Sequence, residues 1–105
     1  MDPHTLYRRR DEFQILDVRE DDEWAAGRVA GSLHIPLGDL AARMDELDRG
    51  QPVVTVCRSG NRSGKAAKRL TRAGLVAVNL DGGLKKWVQV GLDVTTPDGR
   101  LGRVV

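Results

Sequence analysis

Cys57 is the single cysteine of a 105-residue chain, and its neighbours decide what its sulfur can do. It ends the run Val53-Val54-Thr55-Val56, four β-formers that read as a buried strand. After it come Arg58-Ser59-Gly60-Asn61-Arg62-Ser63-Gly64-Lys65 and then a helical pattern with apolar positions at Ala66, Ala67, Leu70 and Ala73. A residue at the carboxyl end of a strand, ahead of a glycine-bearing loop and a helix start, lies where α/β sheets receive anions. Loop amides and the N–H groups of the helix N-terminus face the same space there. Those N–H groups, the helix dipole and the guanidinium groups beside it favour thiolate over thiol, so Cys57 is expected to be nucleophilic. A lone cysteine is ordinarily a small buried hydrophobe; the loop around this one argues otherwise.

The charge distribution points the same way. Between Arg49 and Leu80 stand Arg49, Arg58, Arg62, Lys65, Lys68, Arg69 and Arg72, with no Asp or Glu. Helix starts favour acids, so Arg62 and Lys65 at this one are locally unfavourable and suggest an anionic ligand. Lys68, Arg69 and Arg72 fall toward the helix C-terminus, where cations suit the macrodipole without any ligand.

The loop Cys57-Arg58-Ser59-Gly60-Asn61-Arg62-Ser63 resembles the active-site loop of rhodanese-like sulfurtransferases, including its six-residue span from Cys57 to Arg62. Other matches follow in the family's order: Leu16-Asp17-Val18-Arg19 with Glu23, Gly27 and Gly31, then Ile35-Pro36, then Leu80-Asp81-Gly82-Gly83 with Trp87 and Gly91. Where the family commonly has a histidine after the first of these glycines, this chain has Arg28. The resemblance implies a sulfurtransferase in which Cys57 takes a sulfane sulfur from thiosulfate or a related donor, releases sulfite, and holds the sulfur as a persulfide. A thiol, carried by a partner protein or free, or cyanide would then remove it. Backbone N–H donors from Arg58 to Ser63 would surround the terminal sulfur as an oxyanion hole surrounds oxygen. Arg58, Arg62 and Lys65 would orient the anionic donor, with Ser59, Gly60 and Asn61 completing the substrate loop. Ser63 reads equally as a contact to the sulfur or as a helix cap.

Two rival classes remain. Cysteine phosphatases and arsenate reductases use a related loop, typically one residue longer, and at that spacing the chain has Ser63 in place of Arg. A regulatory or binding module of the same fold would typically have lost the cysteine. A nucleotide-binding loop is excluded, because three residues, not four, separate Gly60 from Gly64, and Ala66 follows Lys65.

The surrounding elements must position this loop. Met1 to Tyr7 suggests the beginning of a short helix, and Arg8-Arg9-Arg10 beside Asp11-Glu12 a solvated face. Gln14 to Val18 is the first convincing strand, and the family pattern assigns Asp17 and Arg19 a supporting pairing at its end. Glu20 to Ala26 reads as a short helix with Trp24 facing inward, and Leu33 to Ile35 as a short strand stopped by Pro36. Asp39 is expected to cap a helix bearing Leu40, Met44 and Leu47 on its core face. Val76 to Leu80 reads as another buried strand, and Leu84, Trp87 and Val88 as a closing helix. Pro97-Asp98-Gly99 turns a tail that could form a small hairpin or an edge strand.

Strands alternating with helices predict an α/β fold, and with the resemblance a rhodanese-like one: a mostly parallel sheet of about four to five strands, flanked by helices on both faces. The whole of 1–105 is expected as one domain, with a motif-bearing core over about 14–94 and a tail over 95–105. Rhodanese-like domains usually carry a strand and a fuller helix ahead of this core, and here that segment is short. A net charge of +2 is too balanced for a nucleic-acid binder, and no apolar run suggests a membrane span or signal peptide. One cysteine and two distant histidines, His4 and His34, predict neither a disulfide nor a metal site, and no cofactor is implied. A reducing, cytoplasmic setting is the expectation, with oligomeric state open.

Overall fold

The computed structural model describes all 105 residues. Four strands, β1 (Gln14–Asp17), β2 (Leu33–His34), β3 (Val53–Val56) and β4 (Ala77–Asn79), form one parallel sheet in the order β2-β1-β3-β4. Five helices cover it: α1 (Pro3–Arg8), α2 (Asp21–Ala26), α3 (Leu40–Arg43), α4 (Asn61–Arg72) and α5 (Gly83–Gln89). Strand periodicity sorts the core into two halves. Val53 and Cys57 point to the face where Leu16, Ile35, Leu40, Leu70 and Leu75 pack, beneath α3 and α4. Val54 and Val56 point to the other face, with Leu6, Ile15, Leu84, Trp87 and Val94 beneath α1 and α5. Thr55 shares the α4 side, and its hydroxyl donates to the Ser63 carbonyl at 2.8 Å, fixing the helix start to the central strand.

The expected pairing at the end of β1 is present. Arg19 and Asp17 are both buried, with the Arg19 Nη2 2.7 Å from Asp17 Oδ2. The guanidinium also donates to the carbonyls of Gly27 at 2.7 Å and Glu23 at 3.2 Å, so the buried ion pair is tied to the middle of α2 and to its C-terminal cap. The opening helix is present too, capped by Asp2, which accepts from the Thr5 N–H at 3.0 Å.

Several local expectations are corrected. Trp24 is half-buried at the surface, stacked on His34 with ring centroids 4.6 Å apart and covered by Arg28 at 4.4 Å. A six-residue helix at the carboxyl edge of the sheet gives its middle residues no core to enter. Asp39 makes no capping bond; it ends a 3-10 turn over Leu37–Asp39, and a second 3-10 turn over Met44–Glu46 follows α3. Leu40 and Leu47 are nonetheless buried, with Met44 packed against the same cluster. The strand expected over Val76–Leu80 is shorter and lies at the sheet edge, which leaves Val76 69% and Val78 39% exposed. Val88 faces solvent, while Leu84 and Trp87 carry the packing of α5.

No strand precedes β1. Met1 alone lies along the free side of β4, its ammonium donating to the Asn79 carbonyl at 3.0 Å and its carbonyl accepting from the Asp81 N–H at 2.8 Å. The tail forms antiparallel bridges between Thr95 and both Arg28 and Leu101, short of a full hairpin strand. No helix is long and apolar enough to cross a membrane.

Candidate active site

β3 ends at Val56 and α4 begins at Asn61, so the loop between them stands at the carboxyl edge of the sheet with Cys57 at its base. Gly60 turns the chain there with φ +104°, a left-handed conformation that a side chain would oppose. That turn aims N–H groups back at the sulfur. Cys57 Sγ accepts from the Gly60 N–H at 3.1 Å, the Ser63 N–H at 3.4 Å and the Ser63 hydroxyl at 3.1 Å. The N–H groups of Arg58, Asn61 and Arg62 have no acceptor within the protein. Burial pushes the Cys57 thiol up, yet the hydroxyl and N–H of Ser63 and the N–H groups of Gly60 and Ser59 together outweigh it and hold the thiol below its ordinary value.

Ser63 is the third residue of α4 and fully buried; the N-terminal cap position belongs to Gly60, without a side-chain capping bond. Of the two roles left open for it, the geometry has the hydroxyl on the sulfur. Its other neighbour is Asn79 of β4, whose Oδ1 lies 2.5 Å from Ser63 Oγ and whose Nδ2 donates to the Gly60 carbonyl at 3.0 Å. Arg62 turns away to Glu23 of α2, with paired hydrogen bonds of 2.6 and 2.9 Å. This pairing holds the Glu23 carboxyl at about 2, against burial that would raise it, with the Glu20 N–H assisting. It also raises the Arg62 guanidinium above its ordinary value. Arg58, Ser59, Asn61 and Lys65 are exposed; the guanidinium of Arg58 and the ammonium of Lys65 carry no ion pair.

From below, α5 props the loop. The Leu84 and Lys85 N–H groups donate to the carbonyls of Cys57 and Arg58, both at 2.9 Å. Gly83, at φ +60°, makes the approach: a methyl group there would lie 2.5 Å from the Arg58 carbonyl oxygen and 2.6 Å from that of Cys57. None of the molecule's cavities is lined by Cys57; the largest, a groove of about 580 Å³, runs between α4 and β4 past Lys68, Arg72 and Val78. No group of three or more His, Cys, Asp or Glu could hold a metal ion.

The arrangement is a buried sulfur that accepts from N–H groups and a hydroxyl, in a loop whose exposed Arg58 carries no ion pair. It suits a sulfur nucleophile whose charge, or the charge of an atom added to it, is held by backbone donors. Sequence reasoning singled out the loop but gave no site role to Asn79, Glu23 or Gly83. The signal for Asn79 was a single amide inside an apolar strand pattern; Glu23 and Gly83 stood among the family matches without a local cue to what they touch.

The model of the rhodanese-like domain family matches residues 2–90. The Bacillus subtilis protein YtwF, whose name assigns it provisionally to the sulfurtransferases, is 40% identical over 77 residues, 73% of this chain and 75% of that protein. A protein of Allochromatium vinosum named sulfurtransferase is 36% identical over 86 residues, 81% and 80% of the two chains. Among solved structures, a rhodanese-related protein of Thermoplasma volcanium superposes with a TM-score of 0.87 at 33% identity, over 90% of this chain and 95% of that one.

Proposed function

The chain belongs to the rhodanese-like domain family, and from that premise we propose that it transfers sulfane sulfur through a persulfide on Cys57. The observation that carries the reading is the set of donors on Cys57 Sγ, with further N–H groups of the same loop, those of Arg58, Asn61 and Arg62, left without acceptors. The thiolate attacks the outer sulfur of thiosulfate or a related donor. A new S–S bond forms, the old one breaks, and its electron pair leaves on sulfite. The negative charge now rests on the terminal sulfur, for which the N–H groups of Arg58, Asn61 and Arg62 are donors without another acceptor. An acceptor thiolate or cyanide attacks that sulfur, and the Cys57 thiolate departs. No proton is moved in either step, so no general base is required.

Arg58 is the cation placed to meet the incoming anion, since it is exposed and unpaired beside the nucleophile. Arg62 contributes chiefly through Glu23, holding the loop to α2, and Lys65 adds positive charge on the exposed side of α4. An acceptor thiol on a partner protein is supported by the surface position of the loop, which no deep cavity encloses.

Intact mass of the protein after incubation with thiosulfate, before and after cyanide, tests the reading, with Cys57→Ser as control. A gain of one sulfur atom that cyanide removes, absent in the control, is the expected result. A folded, reduced sample that gains nothing would return the site to its rivals, a phosphatase first and a binding module second.

A further inference from the structure

The Ser63 hydroxyl has one proton and two acceptors, Cys57 Sγ at 3.1 Å and Asn79 Oδ1 at 2.5 Å. Ser63 is fully buried, which leaves these two as its choices. The Asn79 amide cannot be turned the other way. Its nitrogen faces the Gly60 carbonyl at 3.0 Å, a group that can only accept, so its oxygen must face Ser63. Gly60 O also accepts from the Gly64 N–H at 3.0 Å, so the amide is anchored to the first turn of α4.

We propose that Asn79 is a positioning residue for Cys57: its oriented carbonyl accepts the Ser63 hydroxyl hydrogen bond whenever the Cys57 sulfur is uncharged, and loses it to that sulfur when the sulfur is a thiolate. In the thiol state the S–H donates to Ser63 Oγ and the Ser63 hydroxyl donates to Asn79. In the thiolate state the hydroxyl turns to Sγ, and Asn79 Oδ1 loses its donor. The proposal rests on the persulfide reading for the remaining state. There the charge lies on the outer sulfur, Sγ is a neutral divalent atom, and the hydroxyl returns to Asn79. When an acceptor takes the outer sulfur, the S–S bond breaks with its electron pair on Sγ, and Ser63 swings back to receive it. Asn79 thus favours the loaded and resting forms over the thiolate, while Ser63 favours the thiolate.

The charged group that acts on Cys57 is Arg62 of α4, itself tied to Glu23 of α2. Arg58 of the loop, Lys65 of α4, and Lys85 and Lys86 of α5 are exposed. The Met1 ammonium, paired with Asp81, is the one charged group that hydrogen-bonds to Asn79, at its backbone carbonyl at 3.0 Å, so replacing the side-chain amide leaves all of these charges in place.

The test is a double-mutant cycle read by the rate of iodoacetamide alkylation against pH, which requires no sulfur donor. At a pH one unit below the wild-type midpoint, Asn79→Ala is expected to react about threefold faster and Ser63→Ala about threefold slower, from the usual worth of one neutral hydrogen bond. In the Ser63→Ala background, Asn79→Ala should change nothing, because the proton they contest is gone. A loosened loop would instead move the rate equally in both backgrounds; that result, or an unchanged rate in Asn79→Ala, overturns the proposal. Circular dichroism checks folding, and Asn79→Leu, of similar shape without an acceptor, serves the same cycle if the alanine variant does not fold. Sulfur-loaded Asn79→Ala is also expected to give up its sulfur to cyanide faster than wild type. If wild type gains no sulfur, the persulfide reading fails, while the alkylation cycle still decides the role of Asn79.

Discussion

Arg58 and Arg62, one and five residues after Cys57, have been given different work by their surroundings. Arg62 spends its fork on Glu23, whereas Arg58 is exposed and has no ion pair, so on the proposed reading Arg58 is the loop arginine left for an anionic donor. A cation that meets the substrate equally in the ground and transition states lowers KM without setting kcat. Arg58→Ala is therefore expected to raise the KM for thiosulfate about tenfold while kcat falls far less, measured by steady-state sulfite release. An unchanged KM would remove Arg58 from the donor site. Cys57 and its N–H donors were readable from the sequence because a strand, a glycine turn and a helix start are contiguous and fix one another's geometry. The partners of Ser63 and Arg62 were not, since Asn79 lies 16 and Glu23 39 positions away, and only the packing of β4 and α2 brings them in.

The loop is shaped by the element beneath it as much as by its own residues. Gly82 and Gly83 open α5, and the N–H groups that follow hold the carbonyls of Cys57 and Arg58. With its virtual methyl 2.5 Å from the Arg58 carbonyl and φ at +60°, Gly83 tolerates no side chain without a shift of one element from the other. Gly83→Ala is expected to cost about 2–4 kcal/mol of stability from strain and overpacking. It should also lower kcat/KM with thiosulfate, because the carbonyl shift tilts the N–H groups away from Sγ. Equal denaturant midpoints for the two proteins would show that α5 does not brace the loop. The turn at Asp81-Gly82-Gly83 was legible as a turn, yet its reach to the loop was not, because close approach leaves no periodic trace. The same limit explains β4. An apolar run looks alike in a central and an edge strand, and only the sheet order exposes Val76 and Val78.

Across the molecule, the order of the sheet decides which distant segments can act together. With β1 and β3 adjacent at its centre, the chain that leaves β1 through Arg19 into α2 emerges beside the loop that leaves β3. Helix α2 is then held on two sides, by the buried Asp17–Arg19 pair beneath and by Glu23 to Arg62 across the loop. The second link makes stability depend on acid in a defined window. Folding lowers the Glu23 carboxyl from an ordinary 4.5 to about 2, chiefly through the Arg62 hydrogen bonds. A carboxyl lowered on folding stabilises fully above its unfolded value and loses that contribution as pH falls through its folded one. The Glu23 share is thus complete above about pH 4.5 and gone near pH 2. Glu23→Gln is expected to be less stable than wild type at neutral pH by about 1 kcal/mol, a figure kept small because Arg62 is partly open to solvent. The two urea-unfolding curves should converge as pH is lowered through that window. A constant gap between them at every pH would mean the pair contributes through shape alone, and the hold of α2 on the loop would have to be sought in Arg19.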